Sequence, residues 1–282
     1  MDKPSGPTSH DVVASVRRVF GVRPVGHTGT LDPFATGLLV VLLGRATRLA
    51  RFVEGASKTY WAVARLGVGT DTDDGAGTPL AEPIDLRELD EAVVRAAVAG
   101  LAGERSQRPP AYSAKRVAGE RSYRLARRGR LVALPEVPVT VHRIELLEWR
   151  APEATFRATV SAGTYVRALA RDLGDALGVG GHLVALRREA IGQLRVEDAV
   201  PLDRLDRSAP LLPLTAVLGD LPTVILDGAE RAAVRHGRAV ADRWANGRMG
   251  PEPVALLGDG DVVAVARPEG GLLQPIVVLE TP

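Results

Sequence analysis

Hydrophobic residues recur at helical spacing in the first segment of the chain, with polar residues at the positions between them. The repeat predicts a helix that Ser9 caps and that ends near Gly21. Its apolar face is formed by Val12, Val13, Val16 and Val19. Further on, the apolar run 38–43 predicts a buried strand, 47–53 a short helix, and the alternation over 60–66 a second strand.

Longer elements are predicted in the middle of the chain. The elements expected there are helices over 86–101, 119–128 and 164–177, and neighbouring strands over 137–149 and 155–161. Helices and strands are mixed, but they do not follow the strict strand–helix–strand order that builds a parallel sheet. We therefore expect an α+β fold around a mixed, mostly antiparallel sheet.

A boundary between two domains is predicted by the four prolines of residues 201–222. Beyond it, the pattern predicts a strand over 223–226, a helix over 229–236 and three or four short strands between 254 and 279. A chain of 282 residues also exceeds the usual size of one domain. We predict a larger domain over 1–218 and a small β-rich domain over 219–282.

Composition excludes several classes of protein. Hydrophobic residues make up 45% of the chain, enough to bury a core, and the absence of cysteine excludes disulfides, thiolate metal sites and cysteine nucleophiles. No apolar run approaches the length of a membrane-spanning helix, and the first residues lack the pattern of a signal peptide. We therefore expect a cytoplasmic protein with no membrane partner.

Positive charge is concentrated in one segment, although the whole chain has a net charge of only +2. Residues 105–130 contain nine basic residues and one acidic residue, Glu120. Such a run is often a solvated helix face. Like charges at helical spacing repel one another, however, so a polyanion lying across them would stabilise the segment. The segment is a candidate surface for nucleic acid.

The sequence from Gly26 to Leu38, GHTGTLDPFATGL, contains a single acidic residue, Asp32, in a glycine-rich stretch. Pro33 fixes its own φ and favours an extended Asp32, while the glycines permit close approach of the backbone. A rigid loop that presents one carboxylate is suited to chemistry on a bound partner. The alternative is that Asp32 only closes a turn through its side chain, as many Asp-Pro pairs do.

This loop resembles the catalytic loop of the TruB-type tRNA pseudouridine synthases, and further stretches match that family in the expected order. Those near the family's pocket are Asp2-Lys3-Pro4-Ser5-Gly6, Lys58-Thr59-Tyr60, Gly163-Thr164-Tyr165-Val166-Arg167 and Leu186-Arg187-Arg188. Framework stretches are Arg65-Leu66-Gly67, Thr70 to Asp73, and Pro110 to Ala114. The match spans about residues 2–200, and ordered motifs are more specific than any one motif.

The resemblance implies roles for individual residues. Asp32 would be the essential carboxylate, Arg167 would pair with it, and Tyr60 would lie against the target base. Substrate contacts would come from His27, Tyr165 and Leu186. Without the resemblance, Arg167 is one more surface arginine, and Tyr60 and Leu186 are ordinary core residues. Lys3 would support the loop.

The resemblance implies a pseudouridine synthase fold, and the C-terminal region is similar to a small PUA-type RNA-binding domain; a plain β-rich extension is the alternative. The expected activity is isomerisation of uridine to pseudouridine at position 55 in the T-arm of tRNA, by a monomer that needs no protein partner. No cofactor is implied, and the five histidines show no metal-binding spacing. A non-catalytic tRNA-binding protein and a guide-RNA-dependent relative stay open as alternatives.

Overall fold

Two units contain the residues that the computed structural model describes, which are 1–112, 116–117, 120–121, 134–219, 221–243 and 252–280. The first unit comprises Met1–Pro33, Leu38–Ala56 and Ile191–Pro282, and the second comprises Phe34–Gly37 and Ser57–Ala190. The predicted boundary near residue 218 falls inside the first unit and stays a prediction. No helix in the described ranges is long and apolar enough to cross a membrane.

Strands outnumber helices among the described residues. The strands are β1 (Asp2–Lys3), β2 (Val25–His27), β3 (Thr36–Leu38), β4 (Val41–Leu43), β5 (Lys58–Leu66), β6 (Gly103–Gln107), β7 (Arg116–Val117), β8 (Glu120–Arg121), β9 (Val137–Arg150), β10 (Glu153–Val160), β11 (Gly181–Ile191), β12 (Leu194–Arg195), β13 (Thr223–Ile225), β14 (Val240–Ala241), β15 (Val254–Gly258), β16 (Asp261–Glu269) and β17 (Leu272–Val278). The α-helices are α1 (Ser9–Phe20), α2 (Ala50–Glu54), α3 (Glu91–Ala99), α4 (Val166–Ala176), α5 (Leu214–Val217) and α6 (Gly228–Arg235). Short 3₁₀ helices cover Gly44–Leu49, Val196–Asp198 and Leu202–Arg204.

A sheet forms the centre of the second unit, where its strands lie in the order β3, β11, β5, β10, β9 and β6. β10 pairs antiparallel with both β5 and β9, and β6 pairs antiparallel with β9, whereas β11 and β3 are parallel. Alternate residues of β10 are fully buried, at Ala154, Phe156, Ala158 and Val160. This two-residue period is that of a strand with one face on the core. The predicted mixed, mostly antiparallel α+β fold is confirmed.

Helix α4 packs closely in the second unit because one of its residues has no side chain. Val166, Leu169 and Leu173 form its buried apolar face. A Cβ atom added at Gly174 would lie 2.1 Å from the carbonyl carbon of Gly180, at the turn before β11. Real Cβ atoms do not approach so closely, so glycine at this position permits the contact.

The first unit contains two further layers of structure. Helix α1 buries Val12, Val13 and Val16, and the hairpin of β2 and β4 is antiparallel. The C-terminal strands form a second sheet in the order β13, β15, β16, β17 and β14. One of its cores includes Leu49 of the 3₁₀ segment together with Ala255 and Val265 of the sheet.

Four predicted elements differ from the structure. Thr8, not Ser9, caps α1, because Thr8 and Asp11 form a reciprocal capping box. The run 38–43 is two strands, β3 and β4. The helix predicted over 86–101 spans only Glu91–Ala99, where the Asp90 side chain accepts a hydrogen bond from the Ala92 N–H and caps its start. Of the helix predicted over 119–128, residues 120–121 form strand β8, and 122–128 lie outside the described residues.

Candidate active site

The loop with Asp32 is held to helix α1 by one buried hydroxyl. The Ser9 Oγ atom accepts a hydrogen bond from the Leu31 N–H at 2.9 Å and donates one to the Leu31 carbonyl at 3.2 Å. Ser9 is 1% exposed and Leu31 is 3% exposed. Asp32, the next residue, is only partly buried. The backbone is therefore fixed immediately before a carboxylate that solvent can reach.

Lys3 fixes the other side of Asp32. Its ammonium group donates hydrogen bonds to the carbonyl oxygens of Pro33, at 3.1 Å, and Pro4, at 2.8 Å. The Gly6 N–H also donates to the Pro33 carbonyl, at 2.9 Å. Burial lowers the pKa of Lys3 from its ordinary value, and the negative charge of Asp32 opposes that shift. Lys3 thus supports the loop, as predicted, and lies within the electrostatic range of Asp32.

His27 is the last residue of β2 and begins the same loop. Its ring contacts the ring of His10 on α1 edge to face, with centroids 5.7 Å apart and planes at 81°. The following residue, Thr28, is fully buried, and its N–H donates to the Val40 carbonyl at 3.1 Å. His27 is partly exposed, although its Nδ1 atom is shielded from solvent.

The exit of the loop, residues 34–37, belongs to the second unit and pairs there with strand β11. A Cβ atom added at Gly37 would lie 2.3 Å from the Arg188 carbonyl oxygen, and Gly37 has φ +100°. Only glycine tolerates both conditions. The Thr36 hydroxyl donates to the Leu186 carbonyl at 3.4 Å, and Leu186 itself is buried. The position of Leu186 relative to this exit is therefore set by main-chain contacts.

Arg167 is a buried residue in the first turn of α4, not a surface arginine. Its Nη1 atom donates to the Thr72 carbonyl at 3.0 Å and to Asp74 Oδ2 at 3.2 Å, and its Nη2 atom donates to the Tyr112 carbonyl at 2.9 Å. Only 5% of its side chain is exposed. Asp74 is held in turn by the hydroxyl of Thr72, at 2.7 Å. These contacts fix the plane of the guanidinium.

A second ion pair lies one helical turn further along α4. Arg171 donates to Asp73 Oδ2 at 2.8 Å and to the Arg108 carbonyl at 2.9 Å. Asp73 adopts φ +59°, an uncommon conformation for a residue with a side chain. Burial raises the pKa of Asp73 above its ordinary value, although Arg171 and Arg167 oppose the shift. The acidic turn 70–78 thus faces two arginines of one helix.

Tyr60 lies on β5 opposite Ala158 of β10 and is 7% exposed. A tyrosine that serves only the core has its hydroxyl hydrogen-bonded when it is buried. Among the residues that the structure describes, no hydrogen-bond partner of the Tyr60 hydroxyl is found. The purely structural interpretation of Tyr60 is therefore weakened.

The predicted site residues fall into two groups. His27 and Asp32 share one loop of the first unit. In the second unit, Tyr165 caps α4 two residues before Arg167, while Tyr60 and Leu186 lie on the adjacent strands β5 and β11. The pairing of Asp32 with Arg167 stays a prediction. Sequence reasoning missed Asp74, which directly follows the framework stretch Thr70 to Asp73.

The basic segment predicted over 105–130 is described only in part. Arg105 lies 3.6 Å from Asp172, and Arg108 lies 3.7 Å from Glu136, so both have carboxylate neighbours. The side chains of the other seven basic residues are not described. All seven lie within residues 113–133.

Another cationic surface was not predicted. Arg17, Arg18 and Arg23, hereafter the α1 arginine group, line one surface pocket at the C-terminal end of α1. None of the three forms an ion pair with any described residue. Because three unneutralised guanidinium groups in one pocket repel one another, an anion there would stabilise them.

Two family models match the chain. The N-terminal domain of the TruB family of pseudouridylate synthases matches residues 17–166, and the C-terminal domain of tRNA pseudouridylate synthase B matches residues 167–212.

Curated relatives match the chain almost from end to end. A protein of Thermobifida fusca named tRNA pseudouridine synthase B is 46% identical over 99% of this chain and 96% of its own length. Proteins of the same name from Mycolicibacterium paratuberculosis and Mycobacterium tuberculosis are 45% and 43% identical, over 96% and 94% of their lengths.

Solved structures share the fold. The archaeal box H/ACA sRNP Nop10–Cbf5 complex matches with a TM-score of 0.74 and 27% identity, over 99% of this chain and 85% of that one. An H/ACA RNP bound to a substrate RNA containing 2′-deoxyuridine matches with a TM-score of 0.75, 27% identity, and 99% and 83% coverage.

Proposed function

Because the chain belongs to the TruB family of pseudouridylate synthases, we propose that it isomerises uridine to pseudouridine at position 55 in the T-arm of tRNA, with Asp32 as the essential carboxylate. It is an isomerase that acts on a tRNA uridine. The observation that best supports the role of Asp32 is its environment, in which Ser9 and Lys3 fix the backbone on both sides of a partly exposed carboxylate.

The reaction breaks the bond from ribose C1′ to base N1 and joins C1′ to C5; C5 then loses its proton and N1 takes one up, so the product is an isomer of the substrate. No electrons are exchanged with a second substrate. A carboxylate beside C1′ attacks the electron-poor carbon or accepts a proton next to it. Asp32 is proposed for one of these two roles. Both roles require the carboxylate form of Asp32 before the reaction.

We propose that Arg167 pairs with Asp32 and favours its ionised form. An arginine suits this role because its charge is permanent and its donors form a rigid plane. The acceptors at Thr72, Asp74 and Tyr112 restrict that plane, so the cation is positioned before substrate binds. Preorganised charge of this kind does not have to reorganise during the reaction.

The target uridine has to leave its stack in the RNA before Asp32 can reach C1′. Extruding a base costs a few kcal/mol, which stacking and polar contacts in the pocket offset. We propose that Tyr60 lies against the extruded base and helps to remove the C5 proton, since its hydroxyl has no described protein partner. Tyr165 and Leu186 would line the pocket, and His27 would contact the RNA near the vacated position.

RNA phosphates are the proposed ligands of the α1 arginine group and of the basic segment. Each arginine that neutralises a phosphate releases counterions, which makes affinity depend on salt. Removing Arg17 and Arg18 together is expected to reduce the slope of log affinity against log salt by about 1.5 to 2. The matched control removes Arg87 and Arg150, which Asp85 and Glu148 already neutralise, and should leave the slope unchanged.

The decisive experiment incubates the purified chain with an unmodified tRNA transcript and maps pseudouridine. Pseudouridine at position 55, formed with no RNA other than the tRNA transcript and no second protein, supports an enzyme that needs neither a guide RNA nor a protein partner. Asp32→Asn should retain tRNA affinity and lose product, whereas Asp203→Asn, an exposed control in the same unit, should keep the wild-type rate. Product from Asp32→Asn at the wild-type rate would refute the proposed mechanism.

We further propose that the enzyme is a cytoplasmic monomer and that residues 219–282 act as a PUA-like RNA-binding domain beside a catalytic domain over 1–218. Sedimentation of the free chain tests the first part. The second part is tested by dividing the chain within the four-proline region 201–222. The C-terminal fragment is then expected to bind tRNA weakly and to form no product.

A further inference from the structure

Gln107 is a buried, uncharged polar residue that lies against the start of α4. It is the last residue of β6 and is fully buried. Its Oε1 atom accepts a hydrogen bond from the Tyr165 N–H at 2.8 Å, and its Nε2 atom donates one to the Tyr165 carbonyl at 3.2 Å. One carboxamide therefore satisfies both backbone groups of a residue 58 positions away.

Tyr165 is the residue at which the chain enters α4. It is extended, with φ −98° and ψ 113°, and no side chain caps the helix at this point. Its carbonyl also accepts the first bond of the helix, from the Leu169 N–H at 3.2 Å. The Gln107 carboxamide thus replaces a cap and fixes the direction in which the helix starts. Arg167 follows two residues later.

The chain after Gln107 stays in contact with the same helix. The Arg108 carbonyl accepts a hydrogen bond from Arg171, and the Tyr112 carbonyl accepts one from Arg167. Residues four apart lie on one face of a helix, so residues 107–112 follow this face of α4. Gln107 is the first of three successive attachments.

We propose that Gln107 is a positioning residue, whose carboxamide sets the backbone of Tyr165 and thereby the placement of the Tyr165 ring and the Arg167 guanidinium. The proposal rests on the proposed function, in which Tyr165 lines the uridine pocket and Arg167 pairs with Asp32. Displacing such groups by about 1 Å is expected to lower kcat about 10²-fold. Affinity for tRNA should change less than about twofold, because phosphate contacts dominate it.

The test uses Gln107→Glu, which keeps the size of the side chain. As a carboxylate, Glu still accepts from the Tyr165 N–H, but its second oxygen faces the Tyr165 carbonyl without a proton. A protonated carboxyl restores the donor, and burial against a carbonyl favours that protonated form. The ratio of kcat for Gln107→Glu to kcat for wild type should therefore rise as the pH falls from 8 to 5.5.

Using the ratio removes titrations that both proteins share. The titratable and charged groups on the elements around Gln107 are all present in both proteins. They include Glu104 and Arg105 on β6, Arg108, Glu136, His142, Arg143, Glu145, Glu148 and Arg150 near or on β9, Arg167, Arg171, Asp172 and Asp175 on α4, and Asp73 and Asp74, which contact the α4 arginines. Gln107→Leu has neither donor nor acceptor, so its ratio should be low and flat with pH. Glu88→Gln, which exchanges a carboxylate for an amide at an exposed position of the same unit, should match wild type at every pH.

The measurement is release of tritium from C5-labelled uridine at saturating tRNA, which gives kcat, with tRNA binding and thermal unfolding of each variant measured in parallel. A wild-type kcat for both Gln107 variants, or a Gln107→Glu ratio that is low but flat with pH, would overturn the positioning role. If Gln107→Leu does not fold, the pH dependence of kcat for Gln107→Glu tests the proposal alone, since protonated Glu is isosteric with Gln. A wild-type chain that forms no pseudouridine would overturn the proposed function itself.

Discussion

Replacing Ser9 by alanine should release the loop that presents Asp32. The change removes one hydroxyl and nothing else, and leaves the Leu31 N–H and carbonyl buried without their partner. An unsatisfied buried backbone N–H costs about 1–3 kcal/mol. A carbonyl, with two lone pairs, is more tolerant and adds about 1 kcal/mol. We expect Ser9→Ala to lower the free energy of unfolding by about 2–4 kcal/mol.

Urea unfolding measures this loss, and single-turnover pseudouridine formation measures its effect on chemistry. Because Leu31 precedes Asp32, the rate should fall at least about 10-fold while tRNA affinity is retained. Ser15→Ala on the same helix is the matched control, since the Ser15 hydroxyl has no hydrogen bond to a described residue. That control should change stability by less than about 0.5 kcal/mol.

The reasoning about Ser9 would be refuted by two results together. They are an unfolding midpoint for Ser9→Ala equal to that of Ser15→Ala, and an unchanged rate. Such an outcome would mean that Leu31 finds other partners without moving Asp32, and that the position of the loop does not depend on the hydroxyl.

Three further predictions concern the second unit. Asp74→Asn should destabilise the protein by about 3 kcal/mol in urea unfolding, because it removes a carboxylate that lies 3.2 Å from the buried Arg167 cation. Asp73 has a raised pKa, so it binds its proton more readily when folded; its contribution to stability is present at low pH and is lost as the pH rises through the folded-state pKa. The stability of wild type relative to Asp73→Asn should therefore fall as the pH rises from 4 to 7, and a flat difference would contradict the shift. Tyr60→Phe should leave stability within about 0.5 kcal/mol, since no described residue bonds the hydroxyl, and slow product formation 10²-fold or more if Tyr60 moves the C5 proton.

Local patterns predicted most of the elements, because their causes are local. The alternation in β10 and the apolar face of α4 are readable from ten or so residues. The prediction that Ser9 caps α1 was wrong. Ser9 directly precedes the apolar face, but Thr8 and Asp11 have the three-residue spacing of a capping box. The sequence therefore contained the correct signal one residue earlier.

The supports of the candidate site could not be predicted in this way. Gln107 and Tyr165 are 58 residues apart, and Arg167 and Asp74 are 93 apart. Nothing in a short window distinguishes these polar residues from solvated ones, because their function is to satisfy groups that only the folded chain brings near. Ordered motifs identified the residues with expected chemistry, but not those that hold them.

The contact at Gly174 has a consequence for how sequence variation can act on this enzyme. With 2.1 Å between an added Cβ and the Gly180 carbonyl carbon, alanine at position 174 would force α4 away from the turn before β11. One added methyl group, about two helical turns from Arg167 in sequence, would thus tilt the helix that holds that guanidinium. The proposed placement of Arg167 therefore depends on a hydrogen atom at position 174, a position with no chemistry of its own.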